Sequence, residues 1–175
     1  ELGRRVRASI LFAGALLGRA HEVQLPPPGG DVIGRRRLDT HFDGFVALGA
    51  QFQSSAEGFH LRAERLVGAD LLLDEASVTA TENLLMAAAV AEGTTILGNC
   101  AGEPHVQGLA NMLVLMGARI DGIGSNRMVI HGVPRLGGCD YTIGPDYLEV
   151  GSFIGLAAVT GGEVRIQQAA PAHLR

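Results

Sequence analysis

A chain of 175 residues that is 47% hydrophobic, 18% charged and carries 25 glycines can bury a sizeable core while turning often; it is neither disordered nor fibrous. Fourteen cations against 18 acids leave a net charge of −4, which excludes a general nucleic-acid binder, because such proteins carry a basic surplus. All fourteen cations are arginine, so a lysine Schiff base and a P-loop lysine are excluded as well.

In chain order, the Ala- and Leu-rich run 7–19 predicts a helix and residues 22–25 a short strand. The stretch Pro26-Pro-Pro-Gly-Gly-Asp31-Val-Ile-Gly34 sets three fixed-φ residues before permissive ones, so it predicts a loop with a stiff entry and a flexible middle. Asp39 is expected to cap a helix carrying Phe42, Phe45, Val46 and Leu48 and ending at Gly49. Two strands are expected to pair around Glu57-Gly58, with a third through residues 71–73. A helix over 81–92 stopped by Gly93, a strand over 94–97, and a helix opened by Pro104 and stopped by Gly117 follow.

The order then repeats. Leu48-Gly-Ala50 matches Met116-Gly-Ala118, residues 59–63 match 128–132, Val67-Gly68 matches Leu136-Gly137, and 90–93 match 159–162, all at an offset of about 69 residues. Residues 13–25 read as a weaker third copy, resembling 87–97. Such units predict an α/β or α+β domain with quasi-symmetric repeats, closed rather than an open solenoid. The two cysteines, Cys100 and Cys139, stand in no metal or redox spacing and read as inert thiols, so a reducing cytoplasm is expected. The apolar run 10–17 is far below the ~20 residues that span a bilayer, so no membrane partner is expected. The opening on Glu1 and the late Pro171 suggest a piece of a longer protein.

Arg7-Ala-Ser-Ile10, then Leu25 with Pro28-Gly-Gly-Asp31-Val-Ile-Gly34, then Arg36 and Leu38-Asp39-Thr-His41, resemble the UDP-N-acetylglucosamine enolpyruvyltransferase (1-carboxyvinyltransferase) family. So do Ser77-Val78 with Ala80-Thr81-Glu-Asn83, and Glu92-Gly-Thr-Thr95 with Asn99 and Glu103-Pro104. The resemblance implies an inside-out α/β barrel of repeated helix-strand units, incomplete here. Residues 1–144 would hold most of one domain and 145–175 would open a similar second one, with the active site in the cleft between the complete domains. The implied activity is transfer of enolpyruvyl from phosphoenolpyruvate to the 3-hydroxyl of UDP-N-acetylglucosamine with release of phosphate, the first committed step of peptidoglycan synthesis. No cofactor or metal is implied, the partners are the two small-molecule substrates, and the piece alone should be inactive. The alternatives are a catalytically silent paralogue that binds UDP-sugar, and an enzyme like 5-enolpyruvylshikimate-3-phosphate synthase, which lacks this Gly-Gly-acid loop.

The resemblance also gives roles to residues whose local reading is plain. Asp31 after two glycines is a turn former; by resemblance it is the catalytic acid, standing where most members carry cysteine. An ordinary carboxyl, with a reference pKa of about 3.9, must then be desolvated in the closed complex to hold a proton near neutrality. Epoxide inhibition of the family proceeds through that thiol, so resistance to fosfomycin is expected. Arg7 becomes a cleft arginine. Arg35, Arg36 and Arg37 form a solvated cation run on composition alone; by resemblance Arg36 contacts nucleotide and phosphoenolpyruvate, while Arg37, Leu38, Asp39 and Thr40 shape the uridine pocket. Glu75, Ala76, Ser77 and Val78 precede a helix, where free N–H groups favour anions, and match the family's nucleotide segment. Members commonly have Pro at position 37, Lys at 75 and Gly at 79, where Arg37, Glu75 and Thr79 stand here. His41 reads as structural or exposed.

Overall fold

The computed structural model describes residues 2–31, 34 and 36–174. The chain divides into two compact units, Glu1–Cys139 and Asp140–Arg175.

In the first unit a 3-10 turn, Arg7–Leu11, leads into helix α1 (Phe12–Ala20) and strand β1 (Glu22–Leu25). Helix α2 (Asp39–Ala47) and strands β2 (Gln51–Ser55) and β3 (Gly58–Arg62) complete an antiparallel sheet in the order β1-β3-β2. After strand β4 (Asp70–Leu72) the series runs again as helix α3 (Val78–Ala88), strand β5 (Thr94–Gly98), helix α4 (Pro104–Leu115), and strands β6 (Arg119–Asp121) and β7 (Arg127–His131). Its sheet is ordered β4-β5-β7-β6, with β4 added in parallel to β5.

The repeat expected from sequence is present in three dimensions. Leu25 opposes Phe59 as Leu97 opposes Met128, and Gln51 opposes Arg62 as Arg119 opposes His131. Helices α2 and α4 also end alike: Ala50 N–H donates to Phe45 O and Ala118 N–H to Leu113 O, both at 2.9 Å, with Gly49 and Gly117 in the left-handed region at φ 97° and 106°. One reading is corrected, because 13–25 is no third copy. It supplies α1 and β1, the first half of the first repeat, and its likeness to 87–97 is that of α1 and β1 to α3 and β5.

Two boundaries also differ from expectation. Helix α3 starts at Val78 because Ser77 caps it, its Oγ accepting from Ala80 N–H at 3.3 Å. It ends at Ala88 rather than at Gly93, because Glu92 N–H donates to Leu66 O at 2.8 Å and Val67 bridges to Glu92, drawing the chain off the helix axis.

Helix α3 is the buried axis of this unit, with Leu84, Leu85, Ala87 and Ala88 all fully buried. Small residues let its neighbours approach closely. A Cβ on Gly14 of α1 would run into the Asn83 carbonyl, and one on Gly44 of α2 would lie 2.6 Å from the Leu84 methyls. Phe42 stacks on Phe52 at 4.2 Å and meets Phe59 edge-on at 4.9 Å, closing α2 onto its sheet. A groove of about 780 Å³ stays open beside Leu2, Val6, Phe12, Met86 and Leu109.

In the second unit, Asp146 caps helix α5 (Tyr147–Thr160), its Oδ1 accepting from Leu148 N–H at 2.9 Å and Glu149 N–H at 3.3 Å. A 3-10 turn, Pro171–Leu174, follows. Asp146 stands about 69 residues after Ser77, so α5 repeats α3 in sequence position. No helix among the described residues is long and apolar enough to cross a membrane.

Gly14→Ala in the full-length protein should lower stability by about 1–3 kcal/mol through overpacking against α3. Gly138→Ala, where a Cβ meets nothing within 4 Å, should stay within about 0.5 kcal/mol; urea unfolding midpoints check both.

Candidate active site

The Gly29-Gly30 pair bends tightly over the segment that begins the chain. A Cβ on Gly29 would collide with the Arg4 carbonyl, and Gly30, at φ 96°, lies where a Cβ would come within 3.0 Å of the Arg7 Cβ. Both glycines are required by this close approach, which sets the exposed Asp31 one residue beyond the Arg7 backbone. Val32, Ile33 and Arg35 lie outside the described residues, so of the arginine run only Arg36 and Arg37 are placed.

Arg7 fastens the far end of the loop. Its Nη2 donates to the carbonyls of Arg36 at 2.9 Å and Arg37 at 3.2 Å. Burial, and then the nearby Arg36 guanidinium, hold Arg7 below the usual arginine range. The structure thus brings Arg7 and Arg36 together, with the backbone of Gly30 against Arg7 and no carboxylate bonded to either arginine among the described residues. Such a pair suits an anion with several oxygens.

The next residues are bound to each other. Leu38, not Asp39, is the N-cap of α2, and no side chain caps that helix. Asp39 is its first residue and turns back to Arg37, Oδ2 accepting from Nε at 2.7 Å; a guanidinium two residues upstream outcompetes the helix N–H groups for this carboxylate. Arg37 also donates through Nη2 to Asp74 Oδ2 at 3.0 Å. The buried Thr40 hydroxyl donates to Asp74 Oδ1 at 2.6 Å, with Glu75 Oε1 at 3.4 Å. Chiefly the Thr40 hydroxyl, then Arg37, holds the Asp74 carboxyl below the usual range. Asp74 itself is the residue that sequence reasoning missed, since an Asp before a helix looks like any turn and its partners lie 34 and 37 positions away.

Beyond Asp74, Glu75 and Ala76 are exposed and Ser77 and Val78 half-buried. Ser77 Oγ takes Ala80 N–H and Ser77 O takes Thr81 N–H, leaving the Val78 and Thr79 N–H groups as the orphans of the α3 N-terminus. His41 is structural. Its Nδ1 meets Asn83 Nδ2 at 2.9 Å and its Nε2 meets Thr79 Oγ1 at 3.2 Å. Asn83 Oδ1 accepts from Gly14 N–H at 2.8 Å and its Nδ2 also donates to Ile10 O at 3.0 Å, so Nδ1 of His41 is an acceptor and the proton sits on Nε2.

Known proteins share both sequence and shape with this chain. The sequence model of the EPSP synthase (3-phosphoshikimate 1-carboxyvinyltransferase) family matches residues 1–175, the whole length. The chain belongs to that family. It is 58% identical over all 175 residues to a UDP-N-acetylglucosamine 1-carboxyvinyltransferase of Treponema denticola, and 59% identical to one of Bradyrhizobium diazoefficiens, covering 41% and 40% of them. The chain therefore spans about two-fifths of these curated relatives. Among solved structures, the enolpyruvyl transferase NikO from Streptomyces tendae superposes with a TM-score of 0.66 at 27% identity, over 81% of this chain and 34% of that one. EPSP synthase from Acinetobacter baumannii gives a TM-score of 0.66 at 22% identity, over 90% of this chain and 36% of that one, which speaks for the fold alone. The expected enolpyruvyltransferase fold is thus present, as mixed helices and sheets with no closed barrel among the described residues.

Burial, and then the Arg7 charge, lowers His41 from 6.5 to about 4. Because the folded value lies below the unfolded one, neutral His41 contributes stability that is whole above pH 6.5 and is lost as pH falls towards 4. The loss is on the order of 3 kcal/mol, and His41→Gln should flatten that part of a urea-stability profile of the full-length protein.

Proposed function

We propose that the full-length protein transfers the enolpyruvyl group of phosphoenolpyruvate to the 3-hydroxyl of UDP-N-acetylglucosamine, with release of phosphate, in cytoplasmic peptidoglycan synthesis. The observation that carries the reading is the Gly29-Gly30 bend, which brings the backbone just before Asp31 against Arg7, while Arg7 and Arg36 bond to no carboxylate among the described residues. Identity of 58–59% along the whole chain to proteins of that name supports it, against 22% for a structure named EPSP synthase.

In the first step the sugar O3 gives up its proton to a base and bonds to C2 of phosphoenolpyruvate while the C3 methylene takes a proton, the double bond being consumed and a tetrahedral adduct formed. In the second, C3 loses a proton and the C2–O bond to phosphate breaks, restoring the double bond. Asp31 is assigned as the acid that protonates C3, which a carboxylic acid can do as a thiol does. Arg7 and Arg36 would hold the phosphate and carboxylate of the donor. Arg36, Leu38 and residues 75–78 would receive the nucleotide, with the free N–H groups of Val78 and Thr79 available to its anionic part.

Residues 145–175 are read as the opening of a second domain of the same design, in keeping with the matched caps Ser77 and Asp146. The open groove beside Phe12 and the exposed Leu148, Phe153, Ile154 and Val159 of α5 fit units that gain further partners in the full-length chain, so this piece alone should be inactive.

The full-length protein should release phosphate only when both substrates are present, at a rate fosfomycin leaves unchanged. Asp31→Ala should lower turnover by about 10²–10⁴-fold, and Asp31→Cys should make the enzyme sensitive to time-dependent inactivation. UDP-sugar binding without phosphate release would instead favour a silent paralogue, and a covalent fosfomycin adduct on Asp31 would contradict the assigned resistance.

A further inference from the structure

Four polar side chains at the start of α2 and before α3 satisfy one another. Arg37 spans Asp39 at 2.7 Å and Asp74 at 3.0 Å, and Thr40 reaches the second oxygen of Asp74 at 2.6 Å. Both Asp74 oxygens are thereby occupied from the α2 side, although Asp74 itself belongs to the segment entering α3. We propose that the Thr40–Asp74 pair, braced by Arg37, is a positioning joint whose side chains set the 75–78 segment relative to residues 36–38 for a nucleoside diphosphate ligand without themselves touching that ligand. This rests on the nucleotide reading of the two segments given above.

Burial decides which bond of the joint matters most. The Arg37 pairs are open to solvent, with side chains 46–53% exposed, so they are screened and individually weak. Thr40 is only 3% exposed, so although the Asp74 carboxylate itself is 46% exposed, the hydroxyl that donates to it is buried and has Asp74 as its nearest acceptor. The sequence reading placed Arg37, Asp39 and Thr40 on the nucleotide itself. Their side-chain polar atoms are engaged with protein, which leaves the Arg36 side chain and the backbone N–H groups at the helix starts, Val78 and Thr79 among them, as donors for a ligand among the described residues. A ligand that bridges the two segments feels any change in their spacing, so a joint at their base has leverage on affinity.

The test uses the full-length protein, with UDP-N-acetylglucosamine binding measured by calorimetry and both substrates titrated in the phosphate-release assay. Thr40→Val, which keeps the shape and removes the hydroxyl, should raise Kd and KM for the nucleotide sugar about tenfold, while KM for phosphoenolpyruvate and kcat stay within about twofold. Thr40→Ser should restore near-normal values. Arg37→Gln should produce a smaller rise that disappears at high salt. Adding Asp74→Asn to Thr40→Val should cost little beyond either change alone. Unchanged nucleotide affinity in a folded Thr40→Val protein, or an equal loss on both substrates, would overturn the joint. If Thr40→Val melts early, Arg37→Gln and Thr40→Ser decide by the same substrate split. Failure of the unmodified protein to bind UDP-N-acetylglucosamine at all would overturn the nucleotide reading and the joint with it, an outcome distinct from wild-type binding that the variants leave untouched.

Discussion

Asn83 makes three hydrogen bonds where no water can replace them. Its side chain takes Gly14 N–H and gives its own N–H groups to Ile10 O and His41 Nδ1, and it is fully buried. Each of those bonds left unmade would cost about 1–3 kcal/mol in such a place, so the first turns of α1 and α2 have little freedom to slide along α3, whose own start is tied to His41 through Thr79. Everything in the candidate site hangs from those three beginnings. Arg7 opens the turn that feeds α1, residues 36–40 open α2, and 74–78 open α3. The same constraint therefore fixes both the core and the spacing of the arginines from the helix N-termini, whose partial positive charge adds to theirs.

The polar knot is possible because the surroundings are so tightly packed. Glycines on α1 and α2 let backbone and side chains of α3 come within reach of one another, and a bulkier helix would hold Gly14 N–H too far from Asn83. The second unit of the repeat keeps the same strand register with a different interior, Ile120, Met128 and Ile130 where the first has Phe52, Phe59 and Leu61. Register and helix stops are thus the conserved elements of the design between the two copies, while the side-chain filling varies with the volume to be occupied.

That division explains what the sequence could tell. Stops and registers are local, written in Gly49, Gly117 and the alternation of the hairpin strands, and the repeat was legible from them. The Pro-Gly-Gly-Asp loop was legible as a loop, and the family resemblance through it and its sequel, because such runs of fixed-φ and permissive residues are rare. The boundaries of α3 were not, because they depend on Ser77 as a cap and on a bond from Glu92 to Leu66, 26 residues back. Asp39 looked like a cap and became an ion-pair partner since Arg37 competes for it, a contest that composition does not rank. Asp74 and Asn83 carried no local signal at all, their partners lying tens of residues away.

Arg7 and Arg36 show how the loop can be organised before any ligand arrives. Two like charges near one another repel, and burial of Arg7 makes its charged form costlier still. The carbonyls of Arg36 and Arg37 offset part of this by accepting from Arg7 Nη2, which is why Arg7 binds backbone rather than an acid. A carboxylate in their place would neutralise the pair and remove its use. Among the described residues the guanidinium of Arg36 meets no carboxylate, and an anion that bound it would relieve the repulsion between the two arginines. The loop that bears Asp31 is anchored through the same Arg7, at Gly30 on one side and at the Arg36 carbonyl on the other. Under the proposed function, binding of a phosphate- and carboxylate-bearing donor to the arginines and presentation of the Asp31 carboxyl to it would therefore be coupled through one side chain.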